Sequence, residues 1–163
     1  MLTSGQIAHF ETFGFLVLRK LFSEAEMEGL ISQYEDIMLA DRAGRPFSGE
    51  RQSVQPFVEN SPVLTAVIED DRIYETVKEL LGPDFAWVGS DGNYYVGDTR
   101  WHADGLRHAI DTTLPDWHYP IIKVAFYLDP VSKDTGCLRI IPGSHKADYA
   151  DRLEVTSERE DDP

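Results

Sequence analysis

Apolar residues in the first half of the chain recur at helical spacing behind recognisable start signals. Ser23 and Glu26 form a capping box, and the apolar positions that follow predict a helix to about Ala40. Residues 3–6 form a second capping box ahead of a shorter helix, which Gly14 is suited to end. The pattern therefore predicts two capped amphipathic helices separated by a short apolar run.

Two further helices are predicted before residue 84. Ser61 followed by Pro62 is an N-cap with proline at the first helical position. A second apolar pattern begins at about Asp71 and stops at Gly82-Pro83. The polar stretch 41–60, rich in glycine and proline, predicts a loop with one short strand.

Beyond residue 84 the pattern changes to short runs of strand-forming residues. Strands are predicted at 85–88, 93–96, 121–128 and 137–141, in addition to an earlier buried strand at 15–18. Helices first and strands second predict an α+β fold, in which the helices back one sheet of a sandwich or barrel. The polar tail 147–163 is predicted to be a loop or frayed end.

Composition narrows the class of protein. The chain has 163 residues, of which 42% are hydrophobic, and its net charge is -14. So acidic a surface argues against nucleic-acid and anionic-membrane partners, and no apolar stretch is long enough for a transmembrane helix. The single cysteine, Cys137, cannot form an internal disulfide, so a reducing cytoplasm is the expected compartment.

His102 and Asp104 are the candidate metal ligands of the chain. Residues two apart on extended backbone point to the same face, so the imidazole and the carboxylate would converge. Such a pair is two-thirds of the facial triad that holds non-haem Fe(II) and leaves coordination positions open. The alternative is that Asp104, followed by Gly105, caps a turn beside an exposed His102.

A second motif lies downstream, where Gly136-Cys137-Leu138 leads into Pro142-Gly143-Ser144-His145-Lys146. With the His-x-Asp pair, this block resembles the phytanoyl-CoA dioxygenase family of Fe(II)/2-oxoglutarate-dependent oxygenases, over roughly residues 3–146. The resemblance implies one domain, 1–163, with a double-stranded β-helix (jelly-roll, cupin-like) core that is incomplete at its C-terminus. Residues 1–83 would form the helical layer and 84–146 the first part of that core.

The resemblance also implies a reaction and its cofactors. Fe(II) held by His102 and Asp104 would use O2 and 2-oxoglutarate to hydroxylate a small organic substrate. Asp104 argues for hydroxylation, because related halogenases carry a small residue there. Asn93 would face the 2-oxoglutarate, or merely flank a turn. Lys123 would pair with a carboxylate, or be an edge-strand lysine.

The third iron ligand of the family is a later histidine, followed by an arginine that anchors 2-oxoglutarate. No histidine follows His145 in this sequence. His108 and His118 are expected to be surface residues, with substrate contact or metal binding as alternatives. The resemblance implies that His145 belongs to a structural turn, with a role in the site as the alternative. The rivals to a dioxygenase are therefore a non-catalytic fragment or pseudo-enzyme, or another cupin-like metal enzyme. Unpaired strand edges would favour self-association.

Overall fold

A computed structural model describes residues 1–99, 101–102 and 120–146 of the chain. The chain divides into two compact units. Apart from Met1, the first unit comprises Val17–Asp98 and Tyr127–Cys137. The second unit comprises Leu2–Leu16, Thr99–Phe126 and Leu138–Pro163. Each unit is described by itself below.

Helices account for most of the regular structure in the described residues. They are α1 (Ser4–Phe13), α2 (Glu24–Asp41), α3 (Pro62–Ile68) and α4 (Asp71–Leu81), with a 3-10 turn at Val58–Asn60. All four predicted helices are confirmed to within a residue or two of the expected ends. None of these helices combines the length and the apolar character needed to cross a bilayer.

The predicted capping signals act as expected. Thr3 Oγ1 accepts from the backbone N–H of Gln6 at 3.2 Å, and Gln6 Oε1 accepts from the backbone N–H of Thr3 at 2.9 Å. Ser23 and Glu26 repeat this reciprocal arrangement at the start of α2. Ser61 caps α3. Local hydrogen bonding thus fixes where three of the helices begin.

The core of the first unit lies where α2, α3 and the chain before α3 meet. Its buried apolar side chains are Leu30, Met38, Phe57 and Leu64, of which Met38 is 0% exposed. Gly92 allows the Phe57 ring to lie directly on the neighbouring strand, because a Cβ at Gly92 would stand 2.2 Å from that ring. Phe57 therefore packs against Gly92 without space for a larger residue there.

An arginine on α4 ties that helix to the start of α2. Arg72 Nη2 lies 2.6 Å from Glu26 Oε1 and 2.7 Å from Asp70 Oδ2, and its guanidinium stands 4.0 Å from the Phe22 ring centroid. Hydrogen bonds from Arg72 lower the pKa of the Glu26 and Asp70 carboxyls to about 2. Ser23 also donates to Glu26 and contributes to its lowered pKa. The two carboxylates stay charged through the neutral range and keep this surface network intact.

The sheet of the described residues has two short antiparallel strands. β1 (Gln52–Val54) pairs with β2 (Gly92–Tyr94), with Ser53 opposite Asn93. The single strand expected within 41–60 is therefore present, and the strand predicted at 93–96 is shifted to Gly92–Tyr94. Both strands belong to the first unit.

Four other predicted strands are not formed. Residues 15–18, 85–88, 121–128 and 137–141 have no regular secondary structure. The reason is physical: a strand satisfies its backbone groups only by pairing with a neighbour, and strand propensity does not supply one. The described residues thus form a mixed architecture of helices and a small sheet, and within them there is no closed jelly-roll barrel.

The segments without regular secondary structure carry exposed apolar side chains. In the first unit, Trp87 is 52% and Val88 69% exposed. In the second, Leu138 is 60% and Ile140 40% exposed, and Ile121, Val124 and Phe126 are exposed as well. These residue types are suited to a pleated, half-buried surface, so the segments have strand-forming sequences but stay largely exposed.

Candidate metal centre

Only one of the two predicted metal ligands, His102 and Asp104, lies within the residues that the structure describes. His102 is described and exposed, in the second unit. Asp104 lies outside the described residues, and so do His108 and His118. Within the described residues, no three His, Cys, Asp or Glu side chains are grouped so that they could hold a metal ion. The structure therefore places one member of the pair, and their convergence stays a prediction.

The donor types of the pair nevertheless suit Fe(II). A neutral imidazole nitrogen and a carboxylate oxygen are two of the three ligands in the facial sites of non-haem iron oxygenases. His102 lies at the surface of its unit, where an ion can approach it. Chemistry and accessibility are thus both compatible with iron at this motif.

An arginine stacks on the residue that precedes His102. The Arg139 guanidinium carbon lies 5.3 Å from the centroid of the Trp101 ring, and both residues belong to the second unit. This distance is within the range of a cation–π contact. Sequence reasoning missed Arg139, because a contact between two distant segments leaves no local signal in either of them.

His145 is engaged at the end of α1. Its Nε2 lies 3.2 Å from the Glu11 carbonyl oxygen, while the Gly143 N–H donates to the Phe13 carbonyl at 2.9 Å. These carbonyls belong to the last turn of a helix, where no intrahelical donor is available. The imidazole also lies against Gly14 (φ +81), where a Cβ would stand 2.3 Å from His145 Nδ1. The contacts support the structural role predicted for His145.

The two residues predicted to contact 2-oxoglutarate lie in different units. Asn93 is on β2 in the first unit, is half-buried, and its Nδ2 donates to the Asp91 carboxylate. That contact is the one expected of an asparagine beside a turn. Lys123 is exposed in the second unit. Both assignments stay predictions.

Comparison with known proteins identifies the family. A profile of the phytanoyl-CoA dioxygenase family matches residues 10–163. The chain belongs to this family. The match includes the His-x-Asp pair and the Pro142–Lys146 block, the two motifs on which the resemblance was founded.

Several relatives in the phytanoyl-CoA dioxygenase family are named ectoine dioxygenase. The chain is 24% identical to that of Bordetella bronchiseptica, 26% to that of Sphingopyxis alaskensis and 25% to that of Streptomyces avermitilis. Each alignment covers 89% of this chain but only 50–52% of the relative. The chain thus spans about half the length of the curated relatives it matches. No solved structure matches it.

Proposed function

We propose that the chain carries the iron-binding motif of a non-haem Fe(II)/2-oxoglutarate-dependent dioxygenase that hydroxylates a small organic substrate. The observation that supports this most is the pairing of His102 and Asp104 within a chain that belongs to the phytanoyl-CoA dioxygenase family. The relatives named ectoine dioxygenase agree with a small substrate, although identities of 24–26% do not carry the substrate itself to this chain.

In this proposal the two side chains have distinct tasks. His102 supplies a neutral nitrogen ligand and Asp104 an anionic oxygen ligand, and together they leave positions for the cosubstrates. Bound Fe(II) would activate O2, which is the oxidant. One oxygen atom would enter a substrate C–H bond as hydroxyl, and the other would enter 2-oxoglutarate, which yields succinate and CO2. Lys123, which lies in the same unit as His102, would hold a carboxylate of 2-oxoglutarate by a charge-assisted bond.

The jelly-roll core is also part of the proposal. The exposed apolar side chains at 85–88, 121–128 and 137–141 are those expected of strands that pair with further strands. Since the relatives are about twice as long as this chain, a complete barrel would draw its other strands from additional polypeptide, or from a second copy. The third iron ligand would come from the same source, or from His108 or His118. Cys137, a free thiol, agrees with a reducing cytoplasm.

The test is an anaerobic titration of the 163-residue chain with Fe(II), with and without 2-oxoglutarate. We expect weak binding that 2-oxoglutarate strengthens and that His102→Ala and Asp104→Ala each abolish. Asp98→Ala is the matched control, since it removes an exposed carboxylate that lies close to the motif in sequence. Binding that is equal in all variants would contradict the ligand assignment.

The same titration separates the proposal from a pseudo-enzyme. A pseudo-enzyme that has lost the cosubstrate site predicts no strengthening of metal binding by 2-oxoglutarate. We expect little succinate formation from this chain alone, because two protein ligands hold a labile divalent ion weakly. Fe(II)-dependent succinate formation would show that a third ligand is already supplied.

A further inference from the structure

The contact between Arg139 and Trp101 joins two segments of the second unit next to the metal motif. Trp101 directly precedes His102 and is 47% exposed, so the contact with Arg139 is made near the surface. In an extended chain, consecutive side chains point to opposite faces. If the backbone at 101–102 is extended, as convergence of His102 and Asp104 requires, a cation on Trp101 acts from the face opposite to His102.

Arg139 comes from a segment that is anchored a few residues downstream. The turn that follows it is fixed to α1 by the Gly143 N–H, which donates to Phe13, and by the imidazole of His145, which lies on Gly14. An anchored segment restricts where the guanidinium can go, so less freedom is lost when it stacks on the indole. The delocalised, planar guanidinium is suited to such stacking, more than a lysine ammonium is.

We propose that Arg139 is a positioning residue of the metal centre. By stacking on Trp101 it holds the backbone that carries His102, so that the imidazole is presented in one orientation. This inference rests on the proposed function, because it assumes that His102 is a metal ligand. Residues that orient ligands without touching the metal commonly affect its affinity. Arg139 touches neither metal nor substrate in this role.

The test uses Co(II) as the probe and the 163-residue chain. Co(II) affinity and the visible ligand-field absorption of bound Co(II) are measured for wild type, Arg139→Ala, Arg139→Lys and His102→Ala. Arg51→Ala is the matched control: Arg51 stacks on Tyr95 at 4.7 Å in the other unit, so its removal deletes the same charge and the same type of contact. Thermal unfolding is followed for every variant.

We expect Arg139→Ala to weaken Co(II) binding about two- to fivefold, the equivalent of one exposed cation–π contact, and to change the ligand-field band. Arg139→Lys should restore part of the affinity, and Arg51→Ala should match wild type. Equal Co(II) affinities for Arg139→Ala and Arg51→Ala would overturn the role of Arg139 while leaving the ligand assignment standing. Binding in the wild type that does not depend on His102 would overturn both.

Discussion

The helices and the strand-forming segments differ in where their backbone hydrogen bonds are satisfied. Each helix satisfies its interior groups within itself and closes its start with a neighbouring side chain, as Thr3 and Ser23 do. The segments at 121–128 and 137–141 have strand-forming sequences, but a strand needs a neighbour, and they remain without regular structure. Local signals are therefore sufficient for the first region and insufficient for the second.

The largest expected effect is in the helical layer. Met38→Ala should lower the free energy of unfolding by about 3 kcal/mol, because the side chain is completely buried and its removal leaves a cavity. Leu39→Ala, one residue on and 43% exposed, is the matched control and should cost less than about 1 kcal/mol. Urea unfolding measures both. Equal losses would mean that α2 does not pack as described.

The next largest loss of stability is expected at the end of α1. Gly14→Ala should destabilise the chain by about 2 kcal/mol more than Gly44→Ala. Both glycines have a positive φ, but a Cβ at Gly14 meets the His145 imidazole at 2.3 Å, whereas nothing lies within 4 Å of one at Gly44. Urea unfolding gives the free energy of unfolding of each variant. Gly44→Ala measures the backbone strain alone, and Gly14→Ala measures the strain together with the clash.

A double variant tests the cause of that difference. Adding His145→Ala to Gly14→Ala removes the imidazole, whose Nδ1 and Cγ the new methyl group would meet at 2.3 Å and 2.6 Å, and should recover part of the lost stability. No recovery would mean that the turn carrying His145 does not lie on Gly14.

The same distinction explains how much could be predicted from the sequence. The capping boxes and Gly14 identified the helices because each signal acts within a few residues of its effect. The placement of His145 on Gly14 and of Arg139 on Trp101 depends on segments that are distant in sequence, and no local pattern reports it. For the candidate site, the residue types of His102 and Asp104 predict a chemistry, but not whether the two side chains converge.

The exposed apolar side chains of the strand-forming segments should cause the chain to self-associate. Because their apolar side chains are exposed, the average mass of the chain in sedimentation should rise with concentration. Leu138→Lys, at a residue 60% exposed, should weaken that association about tenfold by placing a charge on the apolar segment. Leu39→Lys, on α2, is the control and should leave it unchanged. A wild-type chain that stays monomeric throughout would contradict the account of these segments.

The smallest expected effect is the pH dependence of the Arg72 network. Because the folded chain lowers the pKa of Glu26 and Asp70 to about 2, below the usual value near 4, their contribution to stability is present above about pH 4. It should be lost as the pH falls from there towards 2. Glu26→Gln, which preserves the capping box, should flatten this dependence in urea unfolding, and Glu28→Gln should not. Identical pH profiles for the two variants would contradict the role of Glu26.

The central claim is that His102 and Asp104 bind one metal ion, and paramagnetic NMR tests it most directly. Substoichiometric Mn(II) added to the 163-residue chain broadens signals according to their distance from the ion. We predict that the side-chain signals of His102 and Asp104 broaden first and together, at a lower Mn(II) concentration than those of Asp98. Broadening of His102 without Asp104, or of another group of residues before either, would contradict the claim.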